Sequence, residues 1–219
     1  MKSLTSDSYT TLKTNKYLRM KNILHIISSP RTNGSASRTL GNAIEEKLQE
    51  AYPEHSITTL DLLKTPFPHL GEEQVDSWFI PAENRTPKQN QAVKRSDDAI
   101  AQLQASDIIV ISVPIYNFGI PSALKAYIDH IARGGMTFQY SENGFEGLVK
   151  NKKAYIAVAS GSVFSEGDYQ SYDFVVPYLR SVLGFIGVTD VSVFRAEGLG
   201  LPHLQETALE KGIESIVIA

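Results

Sequence analysis

Two short runs constrain this chain most: Asn22-Ile-Leu-His-Ile-Ile27 and Ile108-Ile109-Val110-Ile111. Each is nearly all apolar, with no alternation of polar residues. A strand with one wet face alternates; a continuous run marks a strand covered on both faces. Such strands belong to parallel sheets sandwiched between helices. The segments between them agree with this. Leu40, Ala43, Ile44, Leu48 and Ala51 recur at helical spacing after the first run. Thr86-Pro87 opens a second helix, with threonine at the cap, proline in the first turn and Val93, Ile100 and Leu103 inward to about Gln104. Leu124, Ile128 and Ile131 line a third. Ser56–Asp61 alternates and is rich in β-branched residues, so it reads as a strand; Lys153–Ala159 and Asp190–Ala196 supply two more. Helices are expected over Asp173–Phe185 and Leu204–Ile218.

The resulting order, β-α-β-α-β-α-β-α-β-α, predicts an α/β fold. Right-handed crossovers wind it into a doubly wound, five-stranded parallel sheet with helices on both faces. Five strands suit the flavodoxin-like order 2-1-3-4-5, whose ligand cleft lies at the carboxyl ends of the first and third strands. In that arrangement the loops after strands one, three and four converge.

Those three loops have unusual compositions. After the first strand comes Ser28-Ser-Pro-Arg-Thr-Asn-Gly-Ser-Ala-Ser37, rich in hydroxyls and leading into a helix. The free N–H groups and dipole of a helix start favour an anion, a phosphate above all. Capping alone would account for Ser35 or Ser37, but not for the whole loop. The loop is neither a Walker A motif nor a Gly-x-Gly-x-x-Gly fingerprint. After the third strand comes Val113-Pro-Ile-Tyr-Asn-Phe-Gly-Ile-Pro121, in which two prolines stiffen a segment presenting a phenol, an amide and a benzyl group. That suits a flat heteroaromatic ligand; a turn whose aromatics pack inward is the competing reading. The loop after the fourth strand is Ser160-Gly-Ser-Val163.

Composition removes other functions. The chain has no cysteine, so disulfides, thiolate metal sites and cysteine nucleophiles are excluded. The net charge of -3 over 219 residues is not that of a nucleic-acid binder. No apolar run approaches a membrane span. His25 is expected to bond locally within the sheet, without a metal or catalytic role. Residues 1–19 are polar and lack the apolar stretch of a secretory signal. They are expected to be a disordered extension, or sequence upstream of a start at Met20, before a domain spanning 20–219 in a cytoplasmic protein. Residues 62–86 are Pro-rich and read as a long irregular loop.

With these pieces in place, the chain closely resembles the FMN-dependent NAD(P)H azoreductases, flavodoxin-like reductases of quinones and azo dyes. The match is carried by Ser28-Ser29 with Ser35-Ala36-Ser37, by Pro114-Ile115-Tyr116-Asn117-Phe118, by Phe138-Gln-Tyr140 with Glu142-Asn-Gly144, and by Gly184-Phe-Ile-Gly-Val-Thr-Asp190. The resemblance implies tightly but non-covalently bound FMN, with NADH or NADPH as electron donor. It implies phosphate contacts from Ser29, Ser35, Ala36 and Ser37. It implies ring contacts from Pro114, Ile115, Tyr116, Asn117 and Phe118, and from Ser160, Gly161, Ser162 and Val163. The family's last loop often reads Ser-x-Gly-Gly, from which Ser162-Val163 departs. It implies ping-pong transfer to quinone or azo acceptors by a homodimer, the flavin carrying the chemistry. No catalytic side chain and no metal are expected. The divergent segment 62–86 would shape substrate choice. Phe79, Phe138, Tyr140 and Phe164 are candidates for the substrate pocket; packing into their own domain is the competing reading for each. A non-catalytic FMN electron carrier or redox-sensing module is the alternative function.

Overall fold

The computed structural model describes residues 20–142 and 144–218. The expected disordered extension, residues 1–19, and the asparagine of the expected Asn143-Gly144 turn lie outside the described residues.

Five parallel strands form the central sheet: β1 (Lys21–Ile27), β2 (His55–Asp61), β3 (Ile108–Pro114), β6 (Lys153–Ala159) and β7 (Asp190–Ala196). Their order is β2-β1-β3-β6-β7. The two strands missing from that series, β4 (Phe138–Ser141) and β5 (Gly144–Gly147), pair antiparallel in a separate hairpin. With the hairpin set aside the order is 2-1-3-4-5, as expected.

The apolar runs are continuous because alternate residues enter two different cores. Ile108 and Val110 face the core shared with α1 (Ala36–Ala51) and Ile216; Ile109, Ile111 and Val113 face the core shared with Ile100, Leu124 and Leu179. The latter residues belong to α3 (Pro87–Ala105), α4 (Ser122–Ile131) and α5 (Val176–Ile186). Thr86 caps α3 and Pro87 stands in the first turn, as the sequence predicts, and Gln89 completes a capping box.

Five local expectations are corrected. Residues 62–86 are not one irregular loop: they hold α2 (Glu72–Trp78) and a 3-10 turn, Ala82–Asn84. The closing helix α6 covers only Ala208–Glu214, because Leu201–Thr207 forms turns in which Leu204 folds over Gly198. Helix α5 starts three residues late, since Asp173 spends its carboxylate accepting from the N–H groups of Val175 and Val176. Ala51 is exposed at the end of α1, while Gly41 is buried in its middle. Finally, His25 does not bond locally. Its Nδ1 meets Glu45 of α1 at 2.7 Å and its Nε2 meets Ser112 of β3 at 2.8 Å.

The hairpin lies at the amino edge of the sheet. Helix α5 runs antiparallel to the strands and ends just before β7 begins. The hairpin packs on that end: Val149 donates to the carbonyl of Ile186 at 2.8 Å, and a Cβ on Gly147 would lie 2.1 Å from the nitrogen of Gly187. Gly187 itself closes α5 at φ +107, a conformation that suits glycine.

Candidate functional site

At the opposite, carboxyl edge a cleft of about 270 Å³ opens where the strand-end loops meet. It is lined by Ser29, Ser35, Ala36 and Ser37 from the first loop, by Pro114, Ile115 and Tyr116 from the second, and by Ser160 and Gly161 from the third. Three loops singled out from sequence thus come together. Asn117, Phe118, Ser162 and Val163 belong to the same loops but stand outside the lining. Arg31, Gly34, Ala159 and Leu199 line it as well. Leu199 comes from a fourth loop, after β7, and the rule that ligands lie beyond carboxyl strand ends would have pointed to it.

One end of the cleft is built for an anion. Ser35 is the N-cap of α1 and receives the N–H of Arg38. Its hydroxyl donates to Ser29 at 2.9 Å and lies 3.3 Å from that of Ser37. All three serines are buried. The N–H groups of Ala36 and Ser37, in the first turn, have no acceptor within the helix. Among the described residues no carboxylate lines the cleft, and Arg31 is the one charged residue that does. Arg38, in contrast, is turned away: it pairs with Asp61 at 2.8 and 3.1 Å and donates to the carbonyl of Ser29 at 2.8 Å. Its guanidinium thereby fixes the loop and, by that hydrogen bond, holds the Asp61 carboxyl below its ordinary value.

The other end is walled by backbone and apolar groups. Tyr116 and Gly119 exchange both N–H···O bonds at 3.0 Å, closing a two-residue turn. The turn residues Asn117 and Phe118 have φ +48 and +68. Asparagine tolerates that left-handed region; phenylalanine rarely does, and the strain is of order 1–2 kcal/mol. Such strain collects where a site demands a particular backbone. Ile115 donates to Ala159, and the third loop is bonded to the fourth through Leu199 to Ser160 and Gly200 to Gly161. A buried hydroxyl cluster on a helix start, beside a strained loop that offers backbone and a phenol, fits a mononucleotide with one phosphate and a flat ring.

The four candidate pocket aromatics separate. Phe164 reaches the second loop, its ring 6.2 Å from that of Phe118. Phe138 and Tyr140 pack on each other at 5.7 Å, and Phe138 on Phe185 at 4.3 Å, at the amino edge far from their own cleft. Phe79 follows α2 and is 83% exposed, away from the lining. Among the described residues, no group of acidic or histidine side chains is placed to hold a metal.

Comparison with known proteins agrees with this geometry. A family model described as a flavodoxin-like fold matches residues 21–217. The chain is 46% identical over 201 residues to the FMN-dependent NADH:quinone oxidoreductase 6 of Burkholderia lata, covering 91% of this chain and 100% of that protein. It is 44% identical over 180 residues to the FMN-dependent NADH:quinone oxidoreductase of Hydrogenovibrio crunogenus, covering 82% and 89%. Among solved structures, an azoreductase from Bacillus anthracis superposes with a TM-score of 0.82 at 30% identity, covering 89% of this chain and 96% of that one. An FMN-dependent NADH-azoreductase from the same species, solved with FMN, gives 0.79 at 25% identity over 90% and 97%. The chain belongs to the flavodoxin-like fold family and, within it, to the FMN-dependent NADH:quinone oxidoreductases.

Proposed function

We propose that this protein is an FMN-dependent oxidoreductase that uses NADH to reduce quinones and the azo bond of aromatic azo compounds. The observation that carries it is the meeting, in one cleft, of the serine-lined start of α1 with the strained loop Ile115–Gly119. FMN, when bound, supplies two-electron acceptance and donation. The chain's own residues bind and orient. Ser29, Ser35, Ala36 and Ser37 hold the phosphate; Pro114–Phe118 and Ser160–Val163 border the ring. NADH, a quinone and one proton give NAD⁺ and the hydroquinone. An azo bond needs two NADH and two protons to yield two amines and two NAD⁺. Donor and acceptor take the same face in turn, a ping-pong order.

The same reading makes the protein a cytoplasmic homodimer. Tyr140 and Phe145 are 79% and 59% exposed on the hairpin, beside Phe138 and Phe185. They cannot reach their own cleft at the far edge of the sheet, and a two-fold contact would bring them to the partner's. Light scattering after size exclusion tests this; a fully active monomer at micromolar concentration refutes it. The enzyme reading is tested by release of the bound flavin and by NADH oxidation with menadione. Release of FAD, or FMN without turnover, the mark of an electron carrier, overturns it.

A further inference from the structure

Between β6 and α5 runs a strap, Phe164–Asp173, that carries three aromatic residues. Its rings form a closed circuit with the strained loop. Phe118 lies 6.2 Å from Phe164 and 5.5 Å from Tyr172, and Tyr169 lies 6.3 Å from Phe164 and 6.2 Å from Tyr172. Phe164 is buried beneath, while Phe118, Tyr169 and Tyr172 stand 46%, 54% and 47% exposed. Four rings, each beside two others and three of them half in water, make an apolar patch of the kind that marks a binding surface.

The strap is held rigid. One guanidinium, that of Arg195, ties both its ends. It donates to Asp173 at 2.5 Å and to Glu197 at 3.0 Å. Glu197 in turn accepts the N–H of Phe164 at 2.9 Å, at the start of the strap. Asp173, at its end, also fixes the start of α5. All three charged side chains are largely buried, so the clamp is shielded from water and salt. Within the strap the 3-10 turn Gly167–Tyr172 sets the spacing of the two tyrosines, and Gln170 ties back to Ser165 at 3.1 Å. The rings are therefore presented in a fixed arrangement, at little entropy cost on binding.

The position is continuous with the cleft. Phe118 follows the cleft-lining Tyr116 by two residues, and Phe164 follows the cleft-lining Gly161 by three. The circuit thus stands at the cleft's rim on the side of the aromatic loop, opposite the serines. We propose that Tyr169 and Tyr172 are specificity-determining residues, forming with Phe118 a stacking wall that selects planar acceptors of two or more rings. A one-ring acceptor buried in the cleft gains nothing from the rim, whereas a longer one lays its second ring on it.

This inference rests on the enzyme reading above, and one experiment tests both separately. Tyr169→Ala/Tyr172→Ala is compared with Tyr169→Phe/Tyr172→Phe in the FMN-loaded protein, with NADH saturating. The acceptors are methyl red and menadione, then 1,4-benzoquinone, then ferricyanide, which offers no ring to stack. The Ala pair should lower kcat/KM for the multi-ring acceptors roughly tenfold, through KM, relative to ferricyanide. The Phe pair, which keeps the rings, should restore the difference. FMN affinity, read by flavin fluorescence, should move less than twofold. Equal loss for every acceptor, or loss of FMN, would show that the strap is structural and overturn the proposal. So would a switch from dimer to monomer in the Ala pair, which would make the rings an interface. A wild-type protein that reduces ferricyanide but shows no split on substitution sinks this inference alone; a wild-type protein without turnover sinks the function itself.

Discussion

Replacing Gly41 with alanine should destabilise the protein, although alanine is the better helix former. Gly41 sits buried in α1, facing the sheet. A Cβ there would lie 1.9 Å from the Ser112 hydroxyl and 2.8 Å from Nε2 of His25. Both atoms belong to a chain of hydrogen bonds running Glu45–His25–Ser112, in which His25 and Ser112 are fully buried and Glu45 reaches the surface. The ionised Glu45 carboxylate can only accept, so Nδ1 of His25 carries a proton toward it, and in the neutral ring Nε2 accepts from Ser112. To clear the new methyl, Ser112 must rotate away and leave Nε2 without a donor, a cost of about 1–3 kcal/mol. Overpacking against His25 adds about 1–3 kcal/mol. Helix propensity returns only ~1 kcal/mol. The net loss is about 3 kcal/mol, read from urea unfolding of FMN-saturated protein at one fixed protein and flavin concentration. In a Ser112→Ala background the same change should cost at least ~1 kcal/mol less, because the closest clash is gone. A neutral or stabilising Gly41→Ala, or strict additivity of the pair, would refute the argument.

Four further outcomes are expected. Ser35→Ala with Ser37→Ala should weaken FMN binding by about 1–3 kcal/mol, measured by fluorescence titration; unchanged affinity with lower stability would leave Ser35 and Ser37 only as helix-start residues. Phe118→Gly creates an Asn-Gly turn, so relief of ~1–2 kcal/mol of left-handed strain should offset the lost ring packing and glycine entropy; a melt showing a loss above ~3 kcal/mol would contradict the strain. Two buried or paired groups contribute to the acid response. Asp61 is held low first by its Arg38 hydrogen bond, so its contribution is present above the ordinary value of 3.8 and lost as pH falls through the folded value; Asp61→Asn should remove that final step of acid unfolding. Burial holds His130 below its ordinary value of 6.5, so its contribution is complete above that value and declines as pH falls beneath it; His130→Gln should flatten the fall of the urea midpoint below about pH 6.5.

Most of the architecture is legible because it rests on burial and local chemistry. Continuous apolar strands, the Thr86-Pro87 helix start and the Ser35 cap are written in adjacent residues. What was not legible depends on distant partners. Helix α2 has no side-chain cap; it is held by Gln74 on His130 at 3.0 Å and by Arg85 on the carbonyls of Ser77 and Ile80. His25 finds partners 20 and 87 residues away. At the site, the serines and the aromatic loop were readable as clusters of unusual composition. Leu199 carries no ligand signal as a residue type; only its place in the loop after the last strand, at a carboxyl strand end, pointed to it. Phe138 and Tyr140 were readable as pocket candidates, but only the docking of Gly147 on Gly187 shows which edge they occupy.

That placement follows from register. Ile27 pairs with Ser112, Pro114 with Ala159, and Ala159 with Ala196. The strands therefore end nearly in step, and the loops emerge side by side at about 5 Å spacing. The ladder continues into the first loop residues: Ser28 donates to Ser112 at 3.0 Å, Ile115 to Ala159 at 2.8 Å and Ser160 to Ala196 at 3.0 Å. The cleft floor is thus an extension of the sheet, as rigid as the core beneath it. A slip of one residue in β3 would exchange Ile109 and Ile111 for Ile108 and Val110 between the two cores and move Ser112 off His25. It would also carry Ile115 and Tyr116 away from the serines. The same packing that makes the apolar runs continuous therefore holds the two ends of the cleft in line. A chain whose chemistry comes from a bound ring needs that alignment more than it needs an acid or a base.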